Sequence, residues 1–110
     1  MGSGSGRTKS GAVLGTGAEI TVEVGFTPSR VSLVRDQDSG ETEYSVAVDH
    51  YSSMPDASGL KLRDNNTTAR SALILTGLVT IQDDPAGSFT IGTDADLNVD
   101  GIMIYWHAVE

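Results

Sequence analysis

The run Ile102-Met103-Ile104-Tyr105-Trp106-His107-Ala108-Val109 most constrains what this 110-residue chain can fold into. In an extended strand successive side chains alternate between two faces. Ile102, Ile104, Trp106 and Ala108 fall on one face; Met103, Tyr105 and Val109 fall on the other. A strand that is apolar on both faces sits inside a sheet and is covered twice. In a chain this short, that predicts a second sheet or another subunit over the outer face. Met103, Tyr105, Trp106 and His107 are therefore the candidate oligomer or core residues. Just upstream, Leu97 and Val99 alternate with Asp96, Asn98 and Asp100, which predicts a strand over 95–99. Asp100-Gly101 then supplies a tight hairpin turn in which both central positions can take positive φ.

The rest of the chain follows the same period. Strands are predicted near 19–25, 30–35, 43–49, 73–82 and 88–92, in addition to 95–99 and 102–109. Trp106 is expected in the core with Phe26, Phe89 and Ile104. Residues 36–41, acidic and glycine-bearing, read as a hairpin loop, and 83–87 as a turn. Residues 50–72 read as one long polar connection, of the kind that often carries function. No stretch of ten residues has a helical period, and 13 glycines favour short strands and turns. The expectation is an all-β fold, a small antiparallel β-sandwich, with one domain over 19–110 and a flexible N-terminal arm over 1–18.

That arm begins Met1-Gly-Ser-Gly-Ser-Gly-Arg7-Thr-Lys9-Ser-Gly11, a linker by composition. It has few side chains with which to order itself, so its contacts are expected from outside the domain. Arg7 and Lys9 would meet acidic groups, and Val13 and Leu14 would enter an apolar groove of the partner. Deleting residues 1–16 is then expected to leave the stability of the body nearly unchanged.

Charge excludes whole classes of partner. The chain carries −8, and its first 18 residues hold two bases and no acid, so residues 19–110 carry −10. Nucleic-acid phosphates and anionic lipid surfaces both need clustered Lys and Arg. Neither nucleic acid nor membrane is an expected partner. There is no cysteine, hence no disulfide frame or thiol chemistry. No leader peptide or bilayer-length apolar run is seen, and synthesis in a cytoplasm without export is expected.

Chemical motifs are few. Asp96-x-Asn98-x-Asp100-Gly101, preceded by Asp94, fits the opening of a calcium loop. The twelfth position would be His107, not a bidentate glutamate, so an exposed hairpin face is the preferred reading and no metal or cofactor is expected. His50 and His107 are the two histidines. His50 beside Asp49, Ser52 and Ser53 is adjacency in sequence, not triad geometry. Gly15-Thr16-Gly17 lacks the lysine and the helix of a phosphate loop. Asn65-Asn66-Thr67-Thr68 reads as a polar turn. Asp36, Asp38, Glu41 and Glu43 are too clustered for a tuned acid–base pair. No catalytic residue is assigned, and an enzyme is not expected.

Two phrases, Gly25-Phe-Thr-Pro-Ser-Arg30-Val-Ser-Leu-Val34 and the segment from Phe89 through Trp106 to Val109, resemble short bacteriophage virion proteins, in particular head decoration (cement) proteins. The order of elements also resembles the six-stranded sandwich of H-type lectins. The resemblance covers about residues 19–35 and 87–109. It implies a virion structural protein on the outer capsid surface, a homotrimer on local three-fold axes that binds the major capsid protein. The alternative it leaves open is a carbohydrate- or receptor-binding module of a phage tail or fibre, using Tyr51, Asp64, Asn65 and Asn66.

Overall fold

The computed structural model describes residues 6–35, 45–64, 69–83 and 86–110. The chain is all-β: β1 (Thr8–Leu14), β2 (Ile20–Glu23), β3 (Arg30–Arg35), β4 (Ser45–Tyr51), β5 (Ser58–Asp64), β6 (Ala69–Asp83), β7 (Ala86–Ile91) and β8 (Met103–Val109). They form a single antiparallel sheet in the order β1-β8-β3-β4-β5-β6-β7-β2.

The sheet is folded over on itself by β6. Its first half pairs with β5 and its second half with β7. Between Ile74 and Val79 the strand runs on while β5 advances only from Gly59 to Ser58. Gly77 has φ +78° in this stretch, and an added Cβ would meet the Asp94 backbone at 3.2 Å. Positive φ costs a β-branched or bulky residue heavily, so glycine is what lets β6 leave one layer and enter the other. A broad layer, β1-β8-β3-β4-β5 and the start of β6, therefore faces a small one, the rest of β6 with β7 and β2. This is the sandwich that the alternation predicts, made from one curled sheet.

The core lies between the layers. Val31, Leu33, Val46, Val48, Ile104 and Ala108 meet Val22, Val79, Phe89 and Ile91, all buried. The expected aromatic cluster forms. Phe26 and Trp106 are buried, and the Phe89 and Trp106 rings meet edge to face at 5.7 Å and 70°, a geometry favoured by the ring quadrupoles.

Four expectations are corrected. Residues 8–14 are not held from outside: they form β1, paired along β8 from Thr8 opposite Val109 to Leu14 opposite Met103. Main-chain hydrogen bonds order this stretch without large side chains. Residues 50–72 are not one connection, because they contain β5 and the start of β6. Residues 95–99 are not a strand. The Asp94 carboxylate accepts from the amides of Asp96 (2.9 Å) and Leu97 (3.0 Å), and the Asn98 amide donates to the Asp94 carbonyl at 2.9 Å. Such local side-chain bonds compete with a sheet ladder, and here they wind a single helical turn. The Asp100-Gly101 turn is present, closed by the Ile102 amide on the Val99 carbonyl at 3.1 Å, but only Gly101 takes positive φ. It is not a hairpin turn between strands. The loops expected at 36–41 and 65–68, and Glu43, lie outside the described residues.

Candidate functional site

The doubly apolar strand settles what this molecule presents. β8 is interior to the sheet, between β1 and β3. Its inner side chains Ile104, Trp106 and Ala108 are buried, and Tyr105 and His107 stand on the outer face, exposed. Directly opposed residues of an antiparallel pair project to the same side, so the register reads out this face. One row runs Ala12, Tyr105, Val34, Ala47, Leu62 and Ser71 across six strands. The next runs Ser10, His107, Ser32, Asp49, Leu60 and Leu73. Leu14, Val34, Leu60, Leu62, Leu73, Leu75 and Tyr105 are each between 41% and 59% exposed. A contiguous apolar patch of this kind marks an interaction surface.

Charge is nearly absent from it. Among the described outer-face side chains of β1, β3, β4, β5 and β8, Arg30 and Asp49 are the charged ones. They pair at 2.9 Å, and the Ser32 hydroxyl donates to the same Asp49 oxygen at 2.7 Å. The carboxylate beside it raises the Arg30 pKa. The Arg30 guanidinium also lies 5.4 Å from the centre of the Tyr51 ring, so one face of that tyrosine is already covered.

The residues assigned to the arm fall on this framework. The Arg7 guanidinium binds Glu110 at 2.7 Å and stacks over Phe26 at 5.4 Å. That hydrogen bond raises the Arg7 pKa and holds the Glu110 carboxyl below its usual value. Val13 packs against the core, Leu14 is exposed on the outer face beside Met103, and Lys9 is exposed opposite Ala108. Val13 and Leu14 thus point to opposite sides and do not form one anchor. Met103 is half-buried, Tyr105 and His107 line the outer face, and Trp106 belongs to the core.

The acidic motif is organised around an ammonium group. Lys61 Nζ donates to both oxygens of Asp94, at 3.0 and 3.1 Å, and to Asp96 at 2.7 Å. Burial works against the charged amine, but the bonds to Asp96 and Asp94 outweigh it and raise the Lys61 pKa. Asn98 points elsewhere. Its carbonyl accepts from the amides of Thr16 (2.9 Å) and Gly17 (3.0 Å), and its amide donates to the carbonyls of Ala18 (2.7 Å) and Gly92 (2.9 Å). Asn98 is a buried clasp between the β1–β2 crossover and the turn before β8. Among the described residues no group of three or more His, Asp or Glu side chains gathers to hold a metal ion.

His50 is buried on the inner face, its Nδ1 2.8 Å from the Ser58 carbonyl, while Asp49 faces out. The two neighbours in sequence lie on opposite sides of the sheet. Asn65 and Asn66 lie outside the described residues. The features that sequence reasoning missed are Leu60, Leu62, Leu73 and Lys61. The signal for β5 was the alternation Leu60-Lys61-Leu62-Arg63, a strand with its charged residues turned toward Asp94 and Asp96; Leu73 had none and joins only by pairing with Leu60. No protein-family model, curated protein or solved structure matches the chain.

Proposed function

We propose that the chain is a structural protein of a bacteriophage virion, a head decoration protein on the outer capsid surface that stabilises contacts between major capsid protein subunits. The observation that carries this reading is the apolar outer face of the broad layer, whose described charges are a single ion pair, on a chain of charge −8. Such a face needs protein against it, and the acidic remainder suits neither nucleic acid nor an anionic bilayer. The resemblance of the two phrases around Pro28 and Trp106 to virion decoration proteins supplies the kind of assembly. The mechanism is linkage: a ligand that binds only the assembled shell stabilises it by its binding free energy, and many weak sites on a lattice add up.

Cosedimentation of the full chain with empty expanded capsids tests the reading. Saturable binding, with a raised capsid disruption temperature, is the expected result. Absence of binding to any capsid, together with saturable binding to a glycan array, would replace it by the carbohydrate-binding module.

A further inference from the structure

We propose that the outer face of the broad layer is covered by a second copy of this chain, the two faces meeting about a two-fold axis. This names the partner of the face that carries the function proposed above, and it rests on that face being a protein-binding surface.

Charge points to self-association. Two chains of −8 repel over most of their surfaces. On this face the described charges cancel in the Arg30–Asp49 pair, so two copies can approach here without opposed like charge. A basic partner, attracted by the acidic body, would find no unpaired anion among the described side chains of this face and would bury its cations uncompensated. The occupant must present a face as uncharged as this one, and a second copy does so by construction.

The size of the face fits. Six strands about 4.8 Å apart and about seven residues long cover roughly 29 Å by 24 Å, about 700 Å². A standard interface buries about 800 Å² per partner. Sheets stack face to face at about 10 Å with their strands within about 30° of parallel. The row order also suits a two-fold. An axis between β3 and β4 lays Tyr105 of each copy over Leu62 of the other, and Val34 over Ala47. The bulky Tyr105 and Leu62 cover one another, the small Ala12 and Ser71 meet at the ends, and Ala47 sits near the middle. A face meeting itself gives an isologous dimer, where the resemblance implies a trimer.

The test uses the full chain in sedimentation velocity at tens of micromolar, with the variants Leu62→Lys and Val34→Cys. Both residues are exposed, and circular dichroism with thermal melting checks that each variant folds. The expected result is a dimer whose dissociation constant rises at least tenfold in Leu62→Lys. The natural chain has no cysteine, and the two position-34 side chains lie one strand apart across the axis, too far for a disulfide. A short bis-maleimide should therefore join Val34→Cys into a covalent dimer, whereas Asp100→Cys, at an exposed turn away from the face, should not be joined. A monomer at every concentration, or an oligomer whose mass ignores Leu62→Lys and which Val34→Cys does not cross-link, overturns the inference. Capsid cosedimentation separates the two readings. A monomer that decorates capsids and loses binding with Leu62→Lys overturns self-association and keeps decoration. A Leu62-dependent dimer that binds no capsid supports self-association and removes decoration.

Discussion

Gly11 lies under the indole of Trp106: a Cβ built on Gly11 would come within 2.8 Å of Trp106 Cζ2 and 3.0 Å of Cε2. The two residues are register partners across β1 and β8. The glycine is therefore what allows the edge strand to close over the largest side chain of the core. Gly11→Val should force the indole out of place and destabilise the fold by about 1–3 kcal/mol, with a red shift of the single tryptophan's fluorescence. Trp106→Ala should cost about 3–5 kcal/mol. An unshifted spectrum and an unchanged urea midpoint in Gly11→Val would show that β1 is not seated there.

Removal of residues 1–16 tests the same contact from the backbone side. It takes away the β1–β8 ladder, the cover on Trp106 and the packing of Val13. The melting temperature should fall by several degrees, since about 1 kcal/mol shifts a domain of this size by about 4–8 °C. A truncated chain that melts with the full one would restore the view of residues 8–14 as an external arm.

Asn98→Ala should be among the costliest polar substitutions. It strips partners from two amides and two carbonyls at once. An unsatisfied buried group costs about 1–3 kcal/mol, and the crossover from β1 to β2 should loosen with it. Hydrogen exchange at Thr16 and Gly17 should accelerate selectively. Asn98→Asp keeps the acceptor but sets a carboxylate oxygen against the Ala18 and Gly92 carbonyls in a buried site, so near neutral pH it should cost at least as much as Asn98→Ala.

Lys61→Met leaves Asp94 and Asp96 without their shared cation, and should destabilise the protein by roughly 1–3 kcal/mol near neutral pH. The Lys61 side chain is only 12% exposed. Its pKa is raised above 10.5, so its contribution is fully present below pH 10.5 and is lost as pH rises through the folded-state value. The difference in urea midpoint between wild type and Lys61→Met should stay flat to about pH 10.5 and shrink above it. A difference that already shrinks between pH 8 and pH 9 would contradict the sign of the shift.

Much of the architecture was legible because burial leaves a period. Val31 and Leu33, Phe89 and Ile91, and Ile104 with Trp106 alternate as a half-buried sheet requires. The strands that escaped notice are those where the period misleads. β1 has glycine, serine and alanine, which order through main-chain bonds to β8 and carry no apolar signal. β5 turns Leu60 and Leu62 outward and Lys61 inward, the reverse of the usual rule, because Asp94 and Asp96 await the amine. The converse error came at 95–99, where alternation was real but the Asp94 carboxylate captured the amides that a ladder would need. The outer face itself was half legible. Tyr105 and Met103 announced it, but Leu60 and Leu73 joined it only through strand pairing across the sheet, and no local pattern records that.

The place of β8 between β1 and β3 also governs when this molecule can fold. Among the described residues β1 pairs with β8 alone and β2 with β7 alone. Both of these described strands thus have only distant partners, and they emerge unsatisfied when made. Contacts of such long sequence separation are slow to form because loop closure precedes any reward. Assembly must be a late, concerted event, seeded by the local β3–β4 and β4–β5 pairings and completed when β8 inserts. Until that insertion, both flanks of the slot are bare strand edges. Chaperone dependence and aggregation during synthesis should track the delay before β8 appears, rather than the stability of the finished fold.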